Sequence, residues 1–77
     1  MKIKIYSTSN CPHCIEAKNF FQKEKISFEE IDILKNLQAA EELREISGQM
    51  GVPVITIDKE VIIGFDKEKI EKIISNE

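Results

Sequence analysis

Residues 9–21, SNCPHCIEAKNFF, set two cysteines three positions apart where a polar loop gives way to an apolar pattern of helical spacing. Pro12 suits the first position of a helix, and Ala17 and Phe21 continue the face begun by Cys14. Lys23 and Lys25 favour the negative end of a helix dipole, so the helix should run from Pro12 to near Lys25 with Cys11 at its start. Upstream, KIKIYS alternates Ile3 and Ile5 with Lys2, Lys4 and Tyr6, which reads as a first strand. Residues 7–10 are then the loop between them.

Downstream, ISFEEIDI (26–33) has the composition of a strand, yet Phe28 and Ile31 differ in parity. Either both faces are partly covered or the strand is short. Asn36 can cap a second helix whose face is Ala39, Leu43, Ile46 and Met50, with Gly48 as its terminator. VPVITI (52–57) and EVIIG (60–64) are β-branched runs separated by Asp58 and Lys59, the spacing of a tight hairpin. Lys59 is a poor residue for positive φ, which leaves the turn type open. Asp66 can cap a last helix carrying Ile70, Ile73 and Ile74 on one face. The order βαβαββα predicts an α/β fold: a parallel pair joined by a right-handed crossover, then an antiparallel hairpin, with helices on both faces of a four-stranded sheet. No repeat, linker or low-complexity tract interrupts residues 1–77, which read as a single domain.

Seventy-seven residues lie near the lower limit at which an uncross-linked chain buries enough apolar surface to fold alone, so the core must be well patterned. The net charge of -3 arises from 14 acidic and 11 basic residues mixed along the chain. No basic stripe could neutralise a run of phosphates, which argues against nucleic acid as a partner. No apolar stretch reaches the length of a signal-peptide core or a membrane span, and a soluble cytoplasmic protein is expected. A purely structural disulfide would not persist in a reducing cytosol.

The cysteines therefore read as chemistry. A sulfur at residue 11 sits beside the free N–H groups of the helix start and the positive end of its dipole, a place that stabilises a thiolate. A thiol at its ordinary pKa of about 8.5 is mostly protonated at neutral pH, whereas Cys-x-x-Cys thiols at helix N-termini fall to about 3.5–7.5. Cys14, one turn into the same helix, can reach back and displace a mixed disulfide formed at Cys11. His13 between them either tunes the thiolate or is an exposed helix residue without special effect. A closed zinc site would need four ligands, and beyond Cys11, His13 and Cys14 the chain has no further Cys or His. A cluster shared between two chains stays open.

CPHC opening a helix, GVPV (51–54) opening the third strand and GFD (64–66) ahead of the last helix together resemble the glutaredoxins and glutaredoxin-like redoxins of the thioredoxin-fold superfamily, over essentially the whole chain. The resemblance implies a thioredoxin-like fold with strand order 2-1-3-4. It also implies a cis Pro53 packed against the dithiol, with Val52 offering backbone groups to an extended substrate. The implied activity is that of a monomeric dithiol thiol–disulfide oxidoreductase, with Cys11 and Cys14 catalytic and Pro12 and His13 tuning them. Its substrates would be protein disulfides or glutathione mixed disulfides. No cofactor is tightly bound and no resident metal is implied; glutathione enters as a cosubstrate.

By the same resemblance a glutathione groove would involve Thr8, Gln49, Val52, Pro53, Gly64, Phe65 and Asp66, but the chain departs from the family pattern there. Thr8 stands where a lysine is usual, Gln49 offers a neutral contact, and His13 replaces a tyrosine. Ile63, Gly64, Phe65, Asp66 and Lys67 stand where Gly-Gly-Cys-Asp-Asp is common. Gly-Phe at this turn is similar instead to small redoxins that draw electrons from thioredoxin reductase, with Phe65 either a docking contact or a closure of the core. The electron donor is thus glutathione or thioredoxin reductase, and a dimer bridged by an iron–sulfur cluster is the non-enzymatic alternative.

Overall fold

Alternation in the first strand divides the molecule into two layers. The computed structural model describes residues 2–49 and 51–75. The elements are β1 (Ile3–Ser7), α1 (Pro12–Lys23), β2 (Glu29–Asp32), α2 (Leu37–Ser47), β3 (Val54–Ile57), β4 (Glu60–Ile63) and α3 (Lys67–Ser75). They build one sheet of order β2-β1-β3-β4, with β1 parallel to β2 and antiparallel to β3, and β3 antiparallel to β4. This is the expected thioredoxin-like arrangement. No helix among the described residues is long and apolar enough to cross a membrane.

Ile3 and Ile5 join Ile55, Ile57 and Ile62 on the face covered by α1 and α3, where Ala17, Phe21 and Ile70 complete the core. Tyr6 and Val54 point the other way, with Ile33, onto Ala39 and Leu43 of α2. Each fully buried Ile, Leu or Phe contributes about 1.5–3 kcal/mol by leaving water. That driving force is concentrated along β1 and β3, the two central strands.

The parity of Phe28 and Ile31 resolves in both of the anticipated ways. β2 is only four residues long and Phe28 precedes it. Phe28 packs toward α1, its ring 5.8 Å from that of Phe21, while Ile31 packs against the α2 layer. α1 ends at Lys23, two residues before Lys25; Lys25 takes a left-handed φ of 59°, and Ile26 N–H returns to Phe21 O at 2.9 Å. Lys23 is therefore the basic residue of the last turn.

Asn36 caps α2 as expected, accepting Ala39 N–H at 3.1 Å, and Gly48 ends it at φ 73°. Its buried face is narrower than expected, for Ile46 is 40% exposed. Ile46 lines an open cleft with Lys4, Tyr6, Thr56 and Val61 and is not part of the buried cluster that Ala39 and Leu43 join. Met50, the last member of that expected face, lies outside the described residues. In the β3–β4 hairpin Asp58, not Lys59, carries the positive φ (53°). Asp58 is held there by Lys2, whose N–H donates to its Oδ1 at 2.8 Å and whose carbonyl accepts Asp58 N–H at 2.8 Å. Asp66 caps α3 by accepting Lys69 N–H at 3.2 Å.

Candidate active site

The pairing registers bring distant segments to one end of the sheet. Ser7 is paired with Asp32 across the parallel ladder, and continuing the Tyr6–Val54 and Val54–Ile63 pairs by one step sets Pro53 beside Ser7 and Gly64 beside Pro53. Gly64 N–H donates to Pro53 O at 2.8 Å, which fixes the last of these neighbours, and the Val52–Pro53 peptide bond is cis as the resemblance implies. Gly64 adopts φ 81°, a conformation in which a side chain would be strained, and this lets the chain leave β4 directly for α3. Cys11 follows Ser7 by one short loop. The CPHC stretch, the Val-Pro segment and the turn before α3 thus converge on the same rim.

Cys11 occupies the N-cap of α1 with extended backbone (φ -112°, ψ 105°). Its carbonyl accepts Ile15 N–H at 3.1 Å, and its sulfur accepts Cys14 N–H at 3.1 Å, the place a serine or aspartate oxygen fills in an ordinary cap. The two sulfurs are joined as a disulfide with Cα atoms 5.1 Å apart. Cys11 keeps 8% of its surface exposed and Cys14 none. Pro12 fills the first helical position, where no N–H is needed, and is exposed. Among the described residues no group of three or more His, Cys, Asp or Glu side chains is placed to hold a metal ion.

The other expected site residues divide. His13 is exposed and turned along the helix, its Nδ1 3.5 Å from Glu16 Oε1. Thr8 is half-buried in the loop before Cys11. Gln49 is half-buried and its Nε2 donates to Gly51 O at 3.3 Å, so its amide braces the Val-Pro approach. Val52 is half-buried, with no backbone hydrogen bond among the described residues. Phe65 is also half-buried, its ring 5.9 Å from Phe20, and so closes the core edge between α1 and α3. Lys67 stands over the Phe20 ring at 5.9 Å, and Asp66 is committed to its cap.

Sequence reasoning missed a polar cluster beside the dithiol helix. Lys18 Nζ lies 2.6 Å from Glu30 Oε2, and the buried Ser7 hydroxyl donates to the same oxygen at 3.4 Å. Lys18 was visible in the sequence as a residue of the dithiol helix, but Glu30 meets it and Ser7 only through the parallel register that pairs Glu30 with Ile5. On the opposite face, burial pushes the Tyr6 hydroxyl above its ordinary pKa of 10.0, and the Glu42 carboxylate, which accepts its hydrogen bond at 3.4 Å, adds to the shift.

Comparison with known proteins agrees with this geometry. The glutaredoxin family model matches residues 3–62, which takes in the dithiol, Pro53 and most of the sheet. An uncharacterised glutaredoxin-like 8.6 kDa protein in the rubredoxin operon of Clostridium pasteurianum is 43% identical over 72 residues, covering 94% of this chain and 96% of the relative. The crystal structure of a glutaredoxin from Archaeoglobus fulgidus superposes with a TM-score of 0.86 at 31% identity, covering 95% of this chain and 85% of that one. The glutaredoxin-like NrdH-redoxin of Escherichia coli superposes with a TM-score of 0.86 at 29% identity, covering 95% of both chains. With its redox-type Cys-x-x-Cys pair set at the N-terminus of α1 beside a cis proline, the chain belongs to the glutaredoxin family.

Proposed function

We propose that the protein is a dithiol thiol–disulfide oxidoreductase in which Cys11 attacks and Cys14 resolves. The observation that carries this reading is the asymmetry of the pair: Cys11 at a helix cap, its sulfur hydrogen-bonded by Cys14 N–H and the residue 8% exposed, and Cys14 wholly buried within bonding distance of it. In the reduced state the cap N–H and the helix dipole favour the Cys11 thiolate. That thiolate attacks a substrate disulfide, forming a mixed disulfide and releasing one substrate thiolate. Cys14 then attacks Cys11 Sγ, the second substrate sulfur leaves, and the Cys11–Cys14 disulfide remains. The rim at Val52 and Pro53 suits an extended substrate backbone laid beside the dithiol.

The substrate class is protein disulfides or glutathione mixed disulfides. A specific observation favours thioredoxin reductase over glutathione as electron source. No cationic side chain stands at residue 8, the Gln49 amide is turned onto Gly51 O, and Lys67 brings a positive charge to the turn before α3. The similar Escherichia coli NrdH-redoxin is described as having a thioredoxin-like activity profile. Cys11→Ser should abolish disulfide reduction, and wild-type turnover in that variant would refute the reading. Turnover should be faster with thioredoxin reductase than with glutathione and its reductase; the reverse order would reassign the donor.

A further inference from the structure

On the α2 side of the sheet the apolar packing stops halfway. Tyr6 and Val54 pack with Ala39 and Leu43 of α2, but two residues further from the dithiol rim Lys4, Thr56 and Val61 stand abreast on β1, β3 and β4, about 4.8 Å apart. Ile46 of α2 lines an open cleft of about 400 Å³ with them, and Lys2 and Lys59 border it too. Pockets for small ligands have about this size, roughly 300–1,000 Å³. Asp58 is the one acidic side chain in the lining, and its Oδ1 already accepts Lys2 N–H at 2.8 Å. The ion pairs among the described residues are His13–Glu16 and Lys18–Glu30, so the three lysines of the cleft are unpaired there. Glu29 stands level with Lys4 on β2, yet the two form no ion pair. A chain of net charge -3 thus gathers three unpaired cations, among them the half-buried Lys4, around one cleft with aliphatic walls. Like charges drawn together repel, and an anion among them relieves the repulsion.

The walls decide what the anion carries. Ile46 is 40% exposed and Val61 half-buried, so aliphatic surface is open to a ligand. Tyr6 is 3% exposed and its hydroxyl is held by Glu42, so the cleft offers no aromatic plane on which a nucleobase could stack. Three lysines less one aspartate leave the lining two positive charges, which match a phosphate monoester of charge about -1.5 to -2 at pH 7. We propose that this cleft binds a small aliphatic anion, a short hydrocarbon chain ending in a phosphate. The chain lies on Ile46 and Val61, and the head group sits among Lys2, Lys4 and Lys59, with the Thr56 hydroxyl donating to it. The Lys4–Thr56 pair lies two residues along each strand from the Tyr6–Val54 pair that adjoins the dithiol rim, so the site is separate from the dithiol and does not rest on the dithiol reading above.

Octyl phosphate is the probe, titrated into isotope-labelled protein while the backbone amide shifts are followed by NMR. Saturating shifts with a Kd below about 1 mM should centre on Lys4, Thr56, Lys59 and Val61, leave Cys11 and Cys14 unmoved, and be alike in oxidised and reduced protein. Octanol, which lacks the charge, should bind at least about threefold more weakly. Inorganic phosphate, which lacks the chain, should bind at least about tenfold more weakly. AMP, with a base in place of the chain, should also bind more weakly than octyl phosphate. The double variant Lys4→Gln, Lys59→Gln should lose at least about threefold in affinity for octyl phosphate and keep its affinity for octanol, which shows that the fold and the aliphatic walls are intact. No saturation by about 1 mM, or shifts centred on Cys11 and Cys14, would overturn the proposal. So would octanol binding as tightly as octyl phosphate, AMP binding more tightly, or an unchanged octyl phosphate affinity in the double variant.

Discussion

Reducing the Cys11–Cys14 disulfide should leave the protein as stable as before, or more stable. The bond joins residues separated by three positions, and closing a loop of about four residues restricts the unfolded chain by only about 2 kcal/mol, against about 3 kcal/mol for a loop of about fifteen. Reduction frees a sulfur that already sits in the α1 cap. As a thiolate it turns the 3.1 Å contact from Cys14 N–H into a charge-assisted hydrogen bond worth about 1.5–3 kcal/mol. The helix dipole adds about 0.3–1 kcal/mol. The balance favours the reduced protein by about 0–2 kcal/mol. Urea denaturation at neutral pH, with one sample oxidised and the other kept reduced by a phosphine, measures the difference. In a thermal scan the reduced form should melt at the same temperature or up to about 16 °C higher. An oxidised form more stable by about 2 kcal/mol would show that the cap gives the thiolate nothing, and the assignment of Cys11 as attacker would lose its physical basis.

Two further perturbations test the scaffold. Leu43→Ala empties the centre of the α2 layer and should cost about 2–5 kcal/mol in urea denaturation, a large part of the roughly 4–11 kcal/mol expected of a chain this size; a loss under about 1 kcal/mol would mean that α2 is not packed as described. Tyr6 holds its proton more tightly folded than unfolded, so its contribution is complete below pH 10 and falls as pH rises above that value, where the unfolded chain ionises first. Tyr6→Phe should flatten that alkaline decline, and an unchanged slope above pH 10 would reject it.

The fold was legible because its strands are short and strongly patterned: Ile3 and Ile5 against Tyr6 give both faces of β1, and Asn36 and Gly48 bracket α2 by simple capping chemistry. What stayed hidden depends on contacts across elements. Asp58 takes the strained turn position because Lys2 bonds it from the far end of the chain, and Ile46 lines an open cleft between α2 and the sheet instead of joining the buried cluster. At the site, the place of Cys11 at the start of α1 and of Cys14 one turn into it was readable from the sequence. The place of Phe65 was not: its packing on Phe20 depends on where α3 sits against α1. The Ser7–Glu30–Lys18 cluster is invisible to periodicity, because it exists only once the parallel register places Glu30 beside Ile5.

The account turns on unequal sulfurs, and alkylation tests that directly. The freshly reduced protein is treated with iodoacetamide at pH 6, where a thiol of ordinary pKa, about 8.5, is less than about 1% ionised. The modified residue is then identified by peptide mapping. Labelling should occur promptly at Cys11, with Cys14 protected until the protein is unfolded. Failure of Cys11 to react at that pH, or labelling of Cys14 at the same rate or faster, would contradict the assignment of Cys11 as the attacking thiolate.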